Sequence, residues 1–252
     1  MELWKAIGIK EPCIIACTGA GGKTSVILSL ARTAQSINVP VLLSSTTKMY
    51  YSQVVNFNPI FSNDFVEGSA CVALHLAHKR ITSWFSGVEE DKVIGLPLEW
   101  LDRMIQNPKI NPYILVEADG ARGLWLKSSG SNEPIVPFCT KITVGVLNLQ
   151  AIGQPLTNQI AHRLELVLEL LKKQEREIVD WRDLAILALH KQGIFQHSKG
   201  TRILILNGAT VGQVKNAKRI TEYLRKTKSE IYRCVLTEGY GEALRAIEVY
   251  DL

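Results

Sequence analysis

The chain has 252 residues, 46% hydrophobic and 21% charged, a balance that suits one α/β core and excludes both a disordered chain and two full enzymes. Lys+Arg 29 against Asp+Glu 24 leaves a net charge of +5, spread along the chain, which suits anionic small ligands and is too weak to argue for nucleic acid. Five cysteines without a CxxC pair, no apolar run of the length that spans a bilayer, and no basic-then-apolar leader point to a reduced, cytoplasmic protein without a membrane segment.

The apolar run at 13–17 reads as a buried strand, and Thr18-Gly19-Ala20-Gly21-Gly22-Lys23-Thr24-Ser25 follows it directly. Glycines let successive backbone N–H groups converge on an anion, and the N-terminus of the next helix adds partial positive charge. Lys23 supplies a mobile cation for outer phosphates, and the Thr24 hydroxyl is placed to ligate magnesium. The stretch therefore reads as a P-loop in which Gly19, Ala20, Gly21, Gly22, Lys23, Thr24 and Ser25 bind a nucleotide. The first glycine of the eight-residue pattern G-x-x-x-x-G-K-[ST] is replaced by Cys17, so the loop is a short variant of the Mur-ligase type. Cys17 reads as packing under the loop, with a reactive thiol as the alternative.

Helical spacing of Val26, Ile27, Leu30, Ala31 and Ala34 predicts a helix over 23–36, stopped before Pro40. A strand at 41–43 ends in Ser44-Ser45-Thr46-Thr47-Lys48, the strand edge where open α/β sheets bind ligands. Thr46 and Thr47 read either as a sensor of the terminal phosphate or as an ordinary polar strand end. Residues 56–64 read as a loop. The stretches 71–76 and 80–85 read as strands of a hairpin or of a small β insertion spanning about 56–106. A helix is expected over 98–105.

The run 113–116 then leads into Glu117-Ala118-Asp119-Gly120. An apolar strand ending in carboxylates is the second magnesium-handling element of a P-loop enzyme. Glu117 and Asp119 point to one side if the strand continues. One would hold the metal with Thr24, and the other would orient the attacking nucleophile, so Lys23, Glu117 and Asp119 are the catalytic candidates. Arg122 and Lys127 read as charge neutralisers or holders of an anionic second substrate, and His162 as structural. Further strands are expected at 142–147, 202–206 and 231–236, and helices at 162–172, 181–190 with Asp180 as N-cap, and 214–224. This alternation predicts a single domain over 1–252, with a mostly parallel sheet covered by helices on both faces.

Three stretches in order, TGAGGKT at 18–24, STTK at 45–48 and VEADGARG at 116–123, resemble the selenium-dependent hydroxylase accessory proteins of the YqeC family. The resemblance extends through Lys127, Glu133-Pro134, Gly153, His162-Arg163 and Leu206-Asn207. It implies a nucleotide-binding protein that serves maturation of a selenium-dependent molybdenum hydroxylase, with that enzyme or its maturation proteins as partners. Guanine-specific P-loop proteins carry N-K-x-D after a late strand, and this chain has Asn207-Gly208-Ala209-Thr210 there, so ATP is the expected nucleotide, with Mg2+. The leading expectation is ATP binding and hydrolysis. A nucleotide-gated binding protein with little turnover and a ligase or kinase are the alternatives.

Overall fold

The computed structural model describes residues 1–252, apart from the side chain of Lys79. The chain opens with the short helix α1 (Leu3–Ile7), then strand β1 (Ile14–Gly19), helix α2 (Lys23–Ser36) and strand β2 (Val41–Ser45). Next come β3 (Met49–Tyr50), β4 (Pro59–Phe61), α3 (Phe65–Lys79), β5 (Ile81–Phe85), β6 (Gly87–Glu89), β7 (Lys92–Ile94) and α4 (Leu98–Ile105). The second half contains β8 (Tyr113–Glu117), β9 (Leu126–Lys127), β10 (Thr140–Asn148), β11 (Ala161–His162), α5 (Leu164–Leu171) and α6 (Trp181–Leu189). It closes with β12 (Thr201–Asn207), α7 (Val214–Lys226), β13 (Ile231–Glu238) and β14 (Arg245–Asp251).

Nine strands form one sheet in the order β14, β13, β12, β10, β1, β8, β2, β5, β4. Every neighbouring pair is parallel except β13 with β14. Strands buried on both faces send alternate residues to opposite cores. In β1, Ile15 and Cys17 meet α1 and α2 on one face, while Ile14 joins Val72 and Leu76 of α3 and Leu101 and Met104 of α4 on the other. That second face carries α5, α6 and α7 over β10, β12 and β13. The chain leaves β1 toward β2, returns through β8 and then builds the opposite side from β10. β1 thus marks the point where the order reverses, and ligands of open α/β sheets lie outside the carboxyl ends of the strands there.

The region 71–76, expected as a strand, lies inside helix α3. Gly68, Val72 and Leu76 recur every four residues on its buried side, and Asp64 caps it by accepting from the Glu67 N–H at 2.8 Å. The D-x-x-E signature preceding the apolar run was the sequence signal for that helix. Within 56–106, β4 and β5 belong to the main sheet, so residues 59–61, expected as loop, are strand. The antiparallel unit is instead β3, β7 and β6, a small sheet beside the carboxyl end of β2.

Candidate functional site

The loop between β1 and α2 is fastened from both sides. The Ala20 N–H donates to the Val146 carbonyl at 2.9 Å, and the side-chain amides of Asn148 and Asn207 both donate to the Gly21 carbonyl, at 3.1 and 2.8 Å. Asn148 and Asn207 are register partners at the ends of β10 and β12, so the sheet itself brings the two amides to one oxygen. Asn207 is also held by the Thr237 hydroxyl, which donates to its carbonyl oxygen at 3.0 Å. Gly21 (φ +76°) and Gly22 (φ +147°) are required by this closeness: a Cβ would lie 2.4 Å from Asn148 Cβ and 2.3 Å from Asn207 Nδ2, respectively. From the other side, the Gly19 N–H donates to Asp119 Oδ2 at 3.1 Å. The first N–H groups of α2 have no partner within the helix and remain available to an anion.

The charges lie on the β8 side. Lys23 is buried; its ammonium donates to the Gly19 carbonyl at 2.7 Å and stands 3.0 Å from Asp119 Oδ1, in charge contact but not aligned as a hydrogen bond. Burial alone would depress the Lys23 pKa, but Asp119 and Glu117 outweigh it and hold the ammonium above its ordinary value. Asp119 also faces the fully buried Lys127 at 3.1 Å, and Lys127 reaches Glu133 at 3.0 Å and the Gly120 carbonyl at 2.7 Å. Arg163 closes the series on Glu133 at 2.9 Å. Burial works against the Glu133 carboxylate, yet Lys127 and Arg163 hold its pKa below the ordinary glutamate range. Glu117, at the end of β8, accepts from the Thr24 hydroxyl at 3.0 Å. Burial raises its pKa, helped by Asp119 and opposed by Lys23, Thr24 and Lys127.

A cavity of about 340 Å³ opens at the head of α2, within the size range of small-ligand sites. Gly21, Gly22, Lys23, Thr24, Ser25 and Glu117 line it, together with Asn148, Tyr240, Trp125, Arg122, Lys48, Tyr50 and Lys92. Gly19, Ala20 and Asp119 lie behind this surface. The Ser25 hydroxyl accepts from the Gly241 N–H at 2.9 Å, tying the β13–β14 turn to the helix. Neither Thr46 nor Thr47 lines the cavity. The Thr46 hydroxyl donates to the Ile135 carbonyl at 2.8 Å, and the Thr47 N–H to the Ser45 hydroxyl at 2.9 Å. Lys127, expected as a charge facing a substrate, is instead sealed between two carboxylates, because β9 lies beneath the loop that follows β8. Cys17 is fully buried and pairs in register with Glu117; burial and that carboxylate push its thiol far above the ordinary range, so it presents no nucleophile. Asn148 escaped the sequence reading altogether; the only signal was an amide closing an apolar strand.

Comparison with known proteins gives three findings. A family model described as YqeC protein matches residues 15–165. A relative, the uncharacterized protein YqeC of Escherichia coli (strain K12), is 29% identical over 194 residues, covering 75% of this chain and 72% of the relative. Among solved structures, chloroplast FtsY from Physcomitrella patens aligns with a TM-score of 0.46 at 11% identity, over 96% of this chain and 64% of the other, so the chain spans just under two thirds of that structure. The family model covers well over half of the chain, including the glycine loop, Glu117 and Asp119, and the Lys127–Glu133–Arg163 series: the chain belongs to the YqeC family.

Proposed function

We propose that the chain binds a nucleoside triphosphate, ATP by default, together with magnesium, and hydrolyses the terminal phosphate. The observation that carries this reading is the meeting of Lys23, Thr24 and Glu117 at one cavity, over the unpaired N–H groups of α2. The glycine cradle admits no side chain at Gly21 or Gly22, which fits a phosphate lying against backbone. Among the described residues no cluster of three or more His, Cys, Asp or Glu could hold a metal alone. The Thr24 hydroxyl and the Glu117 carboxylate, 3.0 Å apart, are oxygen donors of the kind magnesium takes and would hold it beside the phosphates. When bound there, magnesium supplies charge neutralisation for the outer phosphates.

The loop amides and the head of α2 hold the phosphates, and Lys23, now on the Gly19 carbonyl, has a phosphate as its alternative partner. Asp119 positions Lys23. Glu117 keeps Thr24 oriented and is the carboxylate available to the metal or to a water. Asn207 is followed by Gly208-Ala209-Thr210, without the lysine and aspartate of a guanine-reading motif, so ATP stands as the default nucleotide. The family resemblance assigns the resulting energy to maturation of a selenium-dependent molybdenum hydroxylase. In Lys23→Ala and Glu117→Gln proteins, magnesium-dependent phosphate release should fall about 100-fold or more. Full hydrolysis by a folded Lys23→Ala protein would refute the reading.

One observation favours a second reading, a nucleotide-gated binding protein with little turnover. Asp119 is committed to Lys23, Lys127 and the Gly19 N–H, which leaves Glu117 alone to serve both metal and water. Negligible turnover with nucleotide-dependent capture of a hydroxylase maturation protein would select it over hydrolysis.

A further inference from the structure

The cavity has two chemically different flanks. On the β10 and β12 side stand Asn148 and Tyr240, whose hydroxyl accepts from the Gln150 amide at 2.8 Å. On the β8 and β2 side, Lys48, Tyr50 and Lys92 come from the small antiparallel sheet and its approach, and Arg122 from the loop after β8. Thr24 and Glu117 would hold magnesium, and so mark the end where outer phosphates would lie. Glu117 closes β8, so that end faces the basic flank.

Four cationic side chains line the cavity: Lys23, Lys48, Lys92 and Arg122. Lys23 is compensated by Asp119, and Lys48 is paired with Glu89. Lys92 and Arg122 form no ion pair among the described residues. The Lys92 ammonium stands 5.2 Å from the centre of the Tyr50 ring, and Arg122 is held at φ +51°, a conformation that costs energy for a residue with a side chain. Two cations without ion-pair partners in one cavity attract an anion more strongly than they would on an open surface.

We propose that this flank binds a second substrate beside the terminal phosphate: a small molecule bearing a carboxylate or phosphate group, with Lys92 and Arg122 as its charge partners and Tyr50 as its wall. The site rests on the nucleotide reading above, since it is the nucleotide that gives the second anion a neighbour.

The test is calorimetric titration of the full chain, first loaded with a non-hydrolysable ATP analogue and magnesium, using inorganic phosphate in one arm and succinate in the other. At least one probe should bind saturably, and the arm that does so separates phosphate from carboxylate recognition. Lys92→Ala and Arg122→Gly should each weaken that binding about tenfold or more, with analogue affinity kept within about twofold. Arg122→Gly removes the charge while suiting the positive φ, so loss of fold is not expected, and circular dichroism checks it. Absence of saturable binding by either probe overturns the proposal, as does binding that both variants leave unchanged. Variants that lose the analogue instead would assign these cations to the nucleotide, overturning the second site alone. A wild-type chain that takes up no nucleotide overturns the underlying reading and this site with it.

Discussion

The two sides of the phosphate loop are held by different physics. Toward β10 and β12 the fastening is neutral: two asparagine amides on one carbonyl, backed by a threonine hydroxyl. Toward β8 it is ionic, running from Lys23 through Asp119, Lys127 and Glu133 to Arg163, with every contact between 2.9 and 3.1 Å. Neutral amides fix geometry whatever the proton or ligand state, whereas ionic partners can be exchanged for a phosphate. The loop therefore has a rigid edge and an exchangeable edge, and Lys23, Glu117 and Asp119, the candidate residues, all belong to the second.

The largest expected effect comes from cutting the ionic side at its fully buried cation. Lys127→Met should cost about 3–5 kcal/mol, measured by denaturant unfolding, because it leaves Asp119 and Glu133 facing each other without their shared cation. A loss below about 1 kcal/mol would mean that water fills the gap, and the contrast between the edges would fail. On the neutral side, Asn207→Ala should cost about 1–3 kcal/mol by leaving the Thr237 hydroxyl without its acceptor and the Gly21 carbonyl with one donor fewer. That loss should be the same across neutral and mildly acidic pH, since no titrating group is involved.

Glu133→Gln sharpens the distinction further. Its carboxyl holds a proton less readily in the folded chain than in the unfolded one, so its pairing stabilises above the ordinary glutamate range and is lost as pH falls through the depressed value. The parent should thus lose more stability than Glu133→Gln on acidification through that window. At neutral pH the difference should reach at most about 1 kcal/mol, because the carboxylate is partly exposed. The smallest effect is expected for Ser25→Ala, about 0.5 kcal/mol, seen mainly as faster amide exchange at Gly241 once its acceptor is gone.

The parallel sheet was legible because its central strands are near-continuous apolar runs, and the helices between them keep a helical period. Helix α3 is hard to see in the sequence because Cys71-Val72-Ala73-Leu74 is a consecutive apolar run, which hides the four-residue recurrence of Gly68, Val72 and Leu76; the missing side chain of Gly68 makes room for Trp84. β3, β6 and β7 have two or three residues each, too few for a period to show. At the site, Lys23, Thr24 and Glu117 could be read from local motifs. The ionic series could not: it joins positions 23, 119, 127, 133 and 163, and their meeting depends on how β8, β9 and β11 are threaded, not on spacing along the chain.

Trp125 gives the cavity an optical signal of its own. The chain has five tryptophans, and among the described residues only Trp125 lines the cavity; Trp4 and Trp84 are buried in the core, and Trp100 and Trp181 sit against other aromatic rings. Its backbone N–H is fixed on the Ile160 carbonyl at 3.0 Å, so the indole is carried by an anchored segment. Ligand arrival should therefore change the emission of one indole against four steady ones. A Trp125→Phe protein would keep the background and lose the response, so occupancy of the cavity can be followed without any label.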